Sequence, residues 1–125
     1  MNFVLSPFAQ YVGIEIIEMV HGKSRILLNI QPFHKNQLGI VHGGVISTVA
    51  DVAAGLAIAS TTEKGQIPLT TDSYISYLKA VRGEQLDCNA EIIHKSNKNI
   101  RVESSVYSGD ELIAKAMISF AVKKD

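Results

Sequence analysis

The sequence predicts an α+β chain in which one long, buried helix lies against a mainly antiparallel sheet, and three observations carry that prediction. Between residue 43 and about residue 60 the apolar residues recur at helical spacing. From residue 70 onward apolar and polar residues alternate in four successive runs. The breaks between those runs are short and hold residues that tolerate tight reversal.

Taken in order, residues 13–20 and 24–30 read as two strands joined by His21-Gly22-Lys23, with Gly22 supplying the turn. Pro32 ends the second strand, and residues 32–40 show no clean period; Gly39 and the polar residues mark an ordered loop that delivers the chain to the helix. On that helix Val45, Val49, Val52, Leu56 and Ala59 form an apolar stripe, which Ile46, Ala50, Ala53 and Ala57 continue around the cylinder. The narrow face left over holds Ser47, Thr48, Asp51, Ala54 and Gly55, with Ile58 as its one long side chain. A face turned to bulk water normally carries Lys, Arg or Glu, so this one looks into a cleft or a partner. Glu63-Lys64-Gly65 ends the helix. Strands are then expected over 70–78, 85–94, 100–108 and 112–122, with turns at Arg82-Gly83-Glu84, Asn97-Lys98-Asn99 and Gly109-Asp110 that make successive strands antiparallel neighbours.

At 125 residues the chain is expected to be a single domain spanning residues 1–125. With 46% hydrophobic and 19% charged residues, neither disorder nor a fibrous repeat is indicated. Twelve basic and twelve acidic residues cancel, and no basic run exceeds Lys123-Lys124, so no nucleic-acid partner is expected. The single cysteine, Cys88, excludes an intrachain disulfide and fits a cytoplasmic setting; in the alternating segment Leu86-Asp87-Cys88-Asn89-Ala90 it reads as a buried, inert thiol. His21, His34, His42 and His94 show no metal-ligand spacing, and no metal is expected. Residues 1–10 lack a basic leader followed by an apolar stretch and read as mature sequence. Residues 41–60 are apolar enough to raise the question of a membrane span, but Asp51 at mid-helix would be costly in lipid, so a helix in a soluble protein is expected.

The run from Phe33 to Gly44 sets a glycine pair at the helix start, and Asp51 follows about two turns later: the equipment of an acyl-transfer site. The pattern of His34, Asn36, Gly39, His42-Gly43-Gly44 and Asp51, followed by Thr70 and Tyr77-Leu78-Lys79, resembles the PaaI-type acyl-CoA thioesterases of the hotdog-fold superfamily, over most of the chain from Pro32 onward. The resemblance implies a hotdog fold, in which a curved antiparallel sheet wraps a long central helix. It also implies a homodimer, often assembled into a homotetramer, with active sites at the dimer interface. The substrate would be an acyl-CoA and no cofactor is implied, coenzyme A being part of the substrate. Two departures touch the coenzyme: relatives carry Gly followed by Lys or Arg where this chain has Ser96-Asn97 and then Lys98, and the proline usual after Tyr-Leu-Arg is replaced in Tyr77-Leu78-Lys79-Ala80.

Thioester hydrolysis needs a polarised carbonyl and an activated nucleophile. The Gly43 N–H, at the positive end of the helix, suits the oxyanion, and Gly44 allows the close turn behind it. Asp51 would be the nucleophile or the general base. Neutral donors would keep a buried carboxylate ionised; Thr48, Thr70 and Thr71 are candidates, and the resemblance favours Thr70. It also gives Asn36 the role of orienting thioester or water, and His42 a positioning role. Arg82 and Lys98 are candidate contacts for the coenzyme A phosphates, and Phe8, Ile58, Tyr74 and Tyr77 for the acyl group. Eight residues separate Gly43 from Asp51, about 12 Å of helical rise, whereas both must stand within about 3 Å of one reacting centre. The two groups of one site therefore come from different subunits. A hotdog hydratase or dehydratase pairing His42 with Asp51, and a non-catalytic acyl-CoA-binding module, are the alternatives; the glycine pair and Asn36 favour hydrolysis.

Overall fold

In a computed structural model of the chain, residues 3–124 are described; residues 1, 2 and 125, the extremities of the expected domain and of its N-terminal segment, lie outside them. The first element is one that hydrophobic periodicity leaves unassigned, helix α1 (Pro7–Val12). Its ends carry local signals: the Ser6 hydroxyl accepts the Ala9 N–H at 3.2 Å, Pro7 opens the first turn, and Gly13 closes the last with φ 101°. Strands β1 (Ile14–Val20) and β2 (Lys23–Asn29) follow, then a 3-10 turn (Pro32–His34) and helix α2 (Gly43–Ala59). Strands β3 (Gln66–Tyr77), β4 (Gln85–Lys95), β5 (Asn99–Ser108) and β6 (Glu111–Lys124) complete the chain.

Alternation does what the sequence reading expects. Ile26, Leu28, Leu86, Cys88, Val102, Val106 and Ile118 are wholly or almost wholly buried against α2, while the other face of the same strands carries the ion pairs Arg25–Asp87, Lys23–Glu91 and Glu103–Lys115. Two serines on the inner face are also buried, and each donates its hydroxyl to a helix carbonyl: Ser24 to Ala53 at 2.6 Å and Ser104 to Ala50 at 2.9 Å. They fix how α2 is rotated and where it sits along the sheet.

Three expectations are corrected. The sheet runs β1-β2-β4-β5-β6-β3, antiparallel throughout, so β3 and β4 are not neighbours. The β5–β6 hairpin lies between them, because β3 forms a ladder along nearly the whole of β6, and the segment after β3 crosses the end of the sheet. There the N–H of Leu78 donates to Ile113, and the carbonyls of Val81 and Glu84 accept from Val41 and Ile30. Strand β3 also begins four residues early, running through Pro68, which an edge strand tolerates. Finally, α2 ends at Ala59, and Ala54 and Ile58 are buried, leaving Gly44, Ser47, Thr48, Asp51 and Gly55 on the uncovered side. No helix among the described residues is long and apolar enough to cross a membrane.

Candidate active site

Strand β3 grips α2 at two points, and a β-bulge makes that possible. Thr70 pairs with Phe120 and Tyr77 with Ala114, both core residues, so both side chains turn toward the helix. Seven positions apart in a regular strand, they would point to opposite faces. Thr70 opposes Phe120 and Asp72 opposes Ser119, leaving Thr71 as the extra residue that restores the parity. The Thr70 hydroxyl thereby donates to Asp51 Oδ1 at 3.0 Å, and the Tyr77 hydroxyl to the Gly43 carbonyl at 3.2 Å.

Of the three threonines proposed to hold Asp51, only Thr70 does so. Thr48 donates to the Gly44 carbonyl at 2.8 Å, and Thr71 to the Ser119 carbonyl at 3.1 Å. Asp51 Oδ2 has no hydrogen-bond partner among the described residues. The carboxylate is thus held by one oxygen and open at the other, on a helix face that nothing among the described residues covers.

At the start of α2, His42 is the N-cap, with extended backbone, and its carbonyl accepts the N–H groups of Val45 (3.0 Å) and Ile46 (3.3 Å). The N–H groups of Gly43 and Gly44 have no partner among the described residues, as the first turn of a helix dictates unless a ligand or side chain intervenes. A β-carbon on Gly43 would lie 3.4 Å from the Tyr77 ring, in van der Waals contact with it, and at Gly44 the space is open.

The preceding loop is a closed unit. Lys35 bridges Val41, the Asn36 N–H donates to Ile40, and the His42 N–H donates to the His34 carbonyl. Asn36 Oδ1 accepts the N–H groups of Leu38 (2.8 Å) and Ile40 (3.1 Å). Two donors aimed at one atom identify it as the oxygen, so the side-chain NH2, without a partner among the described residues, stands beside a cleft of about 350 Å3 that Gly43, Tyr77 and Lys79 also line. Asn36 is therefore a turn former with a spare donor. His34 is structural: its Nδ1 accepts the Gln31 N–H and its Nε2 donates to the Val12 carbonyl, both at 2.8 Å, which fixes one neutral tautomer in a buried ring. His42 stands nine residues from Asp51 on one helix and does not pair with it within the chain.

Phe8 and Tyr77 each line a cavity, whereas Ile58 lies in the core and Tyr74 is exposed. Arg82 adjoins the Gly43 end of α2 through Val81, while Lys98 precedes β5 at the opposite end of the sheet, about 30 Å away along the strands. The structure does not bring them together within one chain. Burial, with a smaller contribution from Asp87, pushes the Cys88 thiol up to about 12, consistent with an inert sulfur. Sequence reading missed the hold of Tyr77 on Gly43 and helix α1 itself, which sets Phe8 and Tyr11 on a cavity that Gly44 also lines; for α1, Ser6-Pro7 and Gly13 were the available signal.

The sequence model of the thioesterase superfamily matches residues 38–115, a span that contains Gly43, Asp51, Thr70 and Tyr77. The chain belongs to the thioesterase superfamily. Among relatives of this thioesterase is a proposed esterase of Archaeoglobus fulgidus, 32% identical over 109 residues, covering 86% of this chain and 69% of that protein. Another is the medium/long-chain acyl-CoA thioesterase YigI of Salmonella typhimurium, 26% identical over 132 residues, covering 93% and 85%. A solved structure of the phenylacetic acid degradation protein PaaI from Thermus thermophilus superposes with a TM-score of 0.86 at 18% identity, covering 93% of this chain and 98% of that one. That likeness carries the fold, and the hotdog architecture expected of the thioesterase is the one observed. Asn36 lies just outside the matched span.

Proposed function

We propose that this thioesterase hydrolyses acyl-CoA thioesters to a free acid and coenzyme A, at two equivalent sites shared across a homodimer that can assemble further into a tetramer. The observation that carries the reading is the Asp51 carboxylate, clamped by Thr70 on an uncovered helix face, eight residues from a helix N-terminus with two free N–H groups. Because α2 is one unbroken helix, that separation remains about 12 Å, and the partner's Asp51 has to complete the site begun by Gly43.

In the proposed reaction the Gly43 N–H polarises the thioester carbonyl and stabilises the oxyanion as the carbonyl carbon becomes tetrahedral. The partner's Asp51 uses its free oxygen either to attack that carbon, forming an anhydride that water then cleaves, or to take a proton from the attacking water. Collapse of the oxyanion expels the coenzyme A thiolate. The spare NH2 of Asn36 orients the carbonyl or the water, and His42 positions the substrate from the helix cap. Arg82 of the chain that supplies Gly43 would meet the coenzyme phosphates, a role that its nearness to that helix end supports; if Lys98 also contributes to that site, it comes from the other chain. Two features favour self-association: the long outer edge of β3 has no partner strand among the described residues, and the facing side of α2 is built of short side chains that permit close approach. The named activity of YigI supports the substrate class.

Mixing two inactive variants tests the shared site. Asp51→Ala removes the acid. Gly43→Pro removes the N–H at a position where proline suits a helix start, and His42 (φ −57°, ψ 139°) already has the backbone that a residue before proline adopts. Each variant alone should be nearly inactive toward acyl-CoA. After subunit exchange at equal ratio, hybrid dimers with one intact site should restore about a quarter of wild-type activity. No recovery despite demonstrated exchange would sink the shared-site mechanism.

A further inference from the structure

We infer that the acyl group of the substrate lodges in an apolar recess between α1 and the first turn of α2, and that this recess selects compact, uncharged acyl groups. The inference rests on the reading that the glycine pair holds the thioester carbonyl. The recess, of about 330 Å3, is walled by Phe8 and Tyr11 from α1, Phe33 from the 3-10 turn, the cap residue His42, and Val45 and Thr48 from α2. Gly44 also lines it, so it opens directly beside the free N–H groups, while Gly43 lines the separate cleft that holds Asn36, Tyr77 and Lys79. A thioester carbonyl at the helix end therefore has an apolar space for its acyl substituent and a more polar one for its thiol arm.

Three aromatic side chains, each at least 60% exposed, converge on this one recess. Clustered apolar exposure of that kind marks a binding surface, whereas scattered exposure does not. Tyr11 and Phe33 stand 6.1 Å apart between ring centres and are tilted by 49°, a spacing at which a third flat or short apolar group can contact both. No Lys, Arg, Asp or Glu lines the recess, so an acyl group ending in a carboxylate would lose water there without gaining a lysine or arginine counter-charge. The volume lies at the low end of ligand pockets, about 300–1,000 Å3, which suits a ring or a short chain and leaves a long chain projecting into water. The wall is also preformed: the Ser6 cap and the Gly13 closure hold α1 as a helix, and His34 ties its last residue to the site loop.

The test is a comparison of kcat/KM for acetyl-, hexanoyl-, phenylacetyl-, succinyl- and palmitoyl-CoA in the wild type and in Phe8→Ala and Tyr11→Ala, two exposed positions whose replacement spares the core. The wild type should prefer hexanoyl and phenylacetyl over succinyl and palmitoyl, and each variant should narrow the phenylacetyl-to-acetyl ratio about tenfold. An unchanged ratio in both variants, with Asp51→Ala inactive, would overturn this inference and leave the functional reading standing. So would a preference for palmitoyl over hexanoyl, or weakened dimerisation in the variants with the ratio intact. Undiminished hydrolysis of all five substrates by Asp51→Ala would instead overturn the reading beneath it.

Discussion

Tyr77 meets Gly43 twice, through a hydrogen bond to its carbonyl and through a ring that lies 3.4 Å from where a β-carbon would stand. The proposed oxyanion donor is the N–H of this same residue, so a hydrogen bond to the Gly43 carbonyl holds the following peptide plane and limits how the first turn of the helix can swing that N–H away. Tyr77 is thus a positioning residue, acting on the substrate through the backbone. Tyr77→Phe keeps the ring and removes the donor. It should lower kcat about two- to tenfold, the worth of one neutral hydrogen bond, with KM little changed. Steady-state release of free thiol measures this, and a rise in KM at constant kcat would assign Tyr77 to ground-state binding instead.

At the scale of elements, α2 is held by what lies beneath it as much as by β3. The buried hydroxyls of Ser24 and Ser104 reach carbonyls three residues apart on the helix, so they act as two pins in one edge. Ser24→Ala and Ser104→Ala should each cost about 0.5–1.5 kcal/mol in denaturant unfolding, the net value of an ordinary hydrogen bond, because both carbonyls also lie within the helical ladder. Much of this element structure was legible. Burial imposes period 2 on β2, β4, β5 and β6 and a near-continuous apolar surface on α2, and both patterns are written in consecutive residues. The order of the sheet was not, because the pairing of β3 with β6 is a contact between segments about 50 residues apart that leaves no local trace. Helix α1 is too short to show a period and announces itself only by its caps. At the candidate site, the positions of Gly43 at a helix start and of Asp51 on that helix's uncovered face were legible because the two share one helix. The grip of Tyr77 was not, since Thr70-Thr71-Asp72 gives no sign of which residue is extra.

For the whole molecule, the proposed pairing of Gly43 with the partner's Asp51 fixes where a two-fold axis must pass. Midway between residues 43 and 51 is Ser47, a short side chain on the uncovered face of α2 whose hydroxyl turns back to the Gly44 carbonyl at 3.0 Å. Helices packed face to face at about 8–10 Å across such short residues bring the two copies of this position within disulfide reach. Ser47→Cys should therefore cross-link to a covalent dimer on mild oxidation, read by non-reducing electrophoresis; Cys88, being buried, should not contribute. Gly55→Cys, whose two copies would stand about 24 Å apart along the antiparallel helices, should remain monomeric on the same gel. The reverse pattern would place the axis elsewhere and separate Gly43 from Asp51.

The extra residue at Thr71 makes β3 tolerant of changes in identity and intolerant of changes in length. Thr71 itself has its hydroxyl on the Ser119 carbonyl and touches neither the acid nor the glycine pair. Yet removing it, or inserting one residue anywhere between Thr70 and Tyr77, would turn one of those two side chains to the outer surface while the other stayed in place. The spacing between the acid and the donor is thus matched by a count of residues on a neighbouring strand, and homologous chains that keep both contacts should vary freely in composition across this stretch but not in its number of residues.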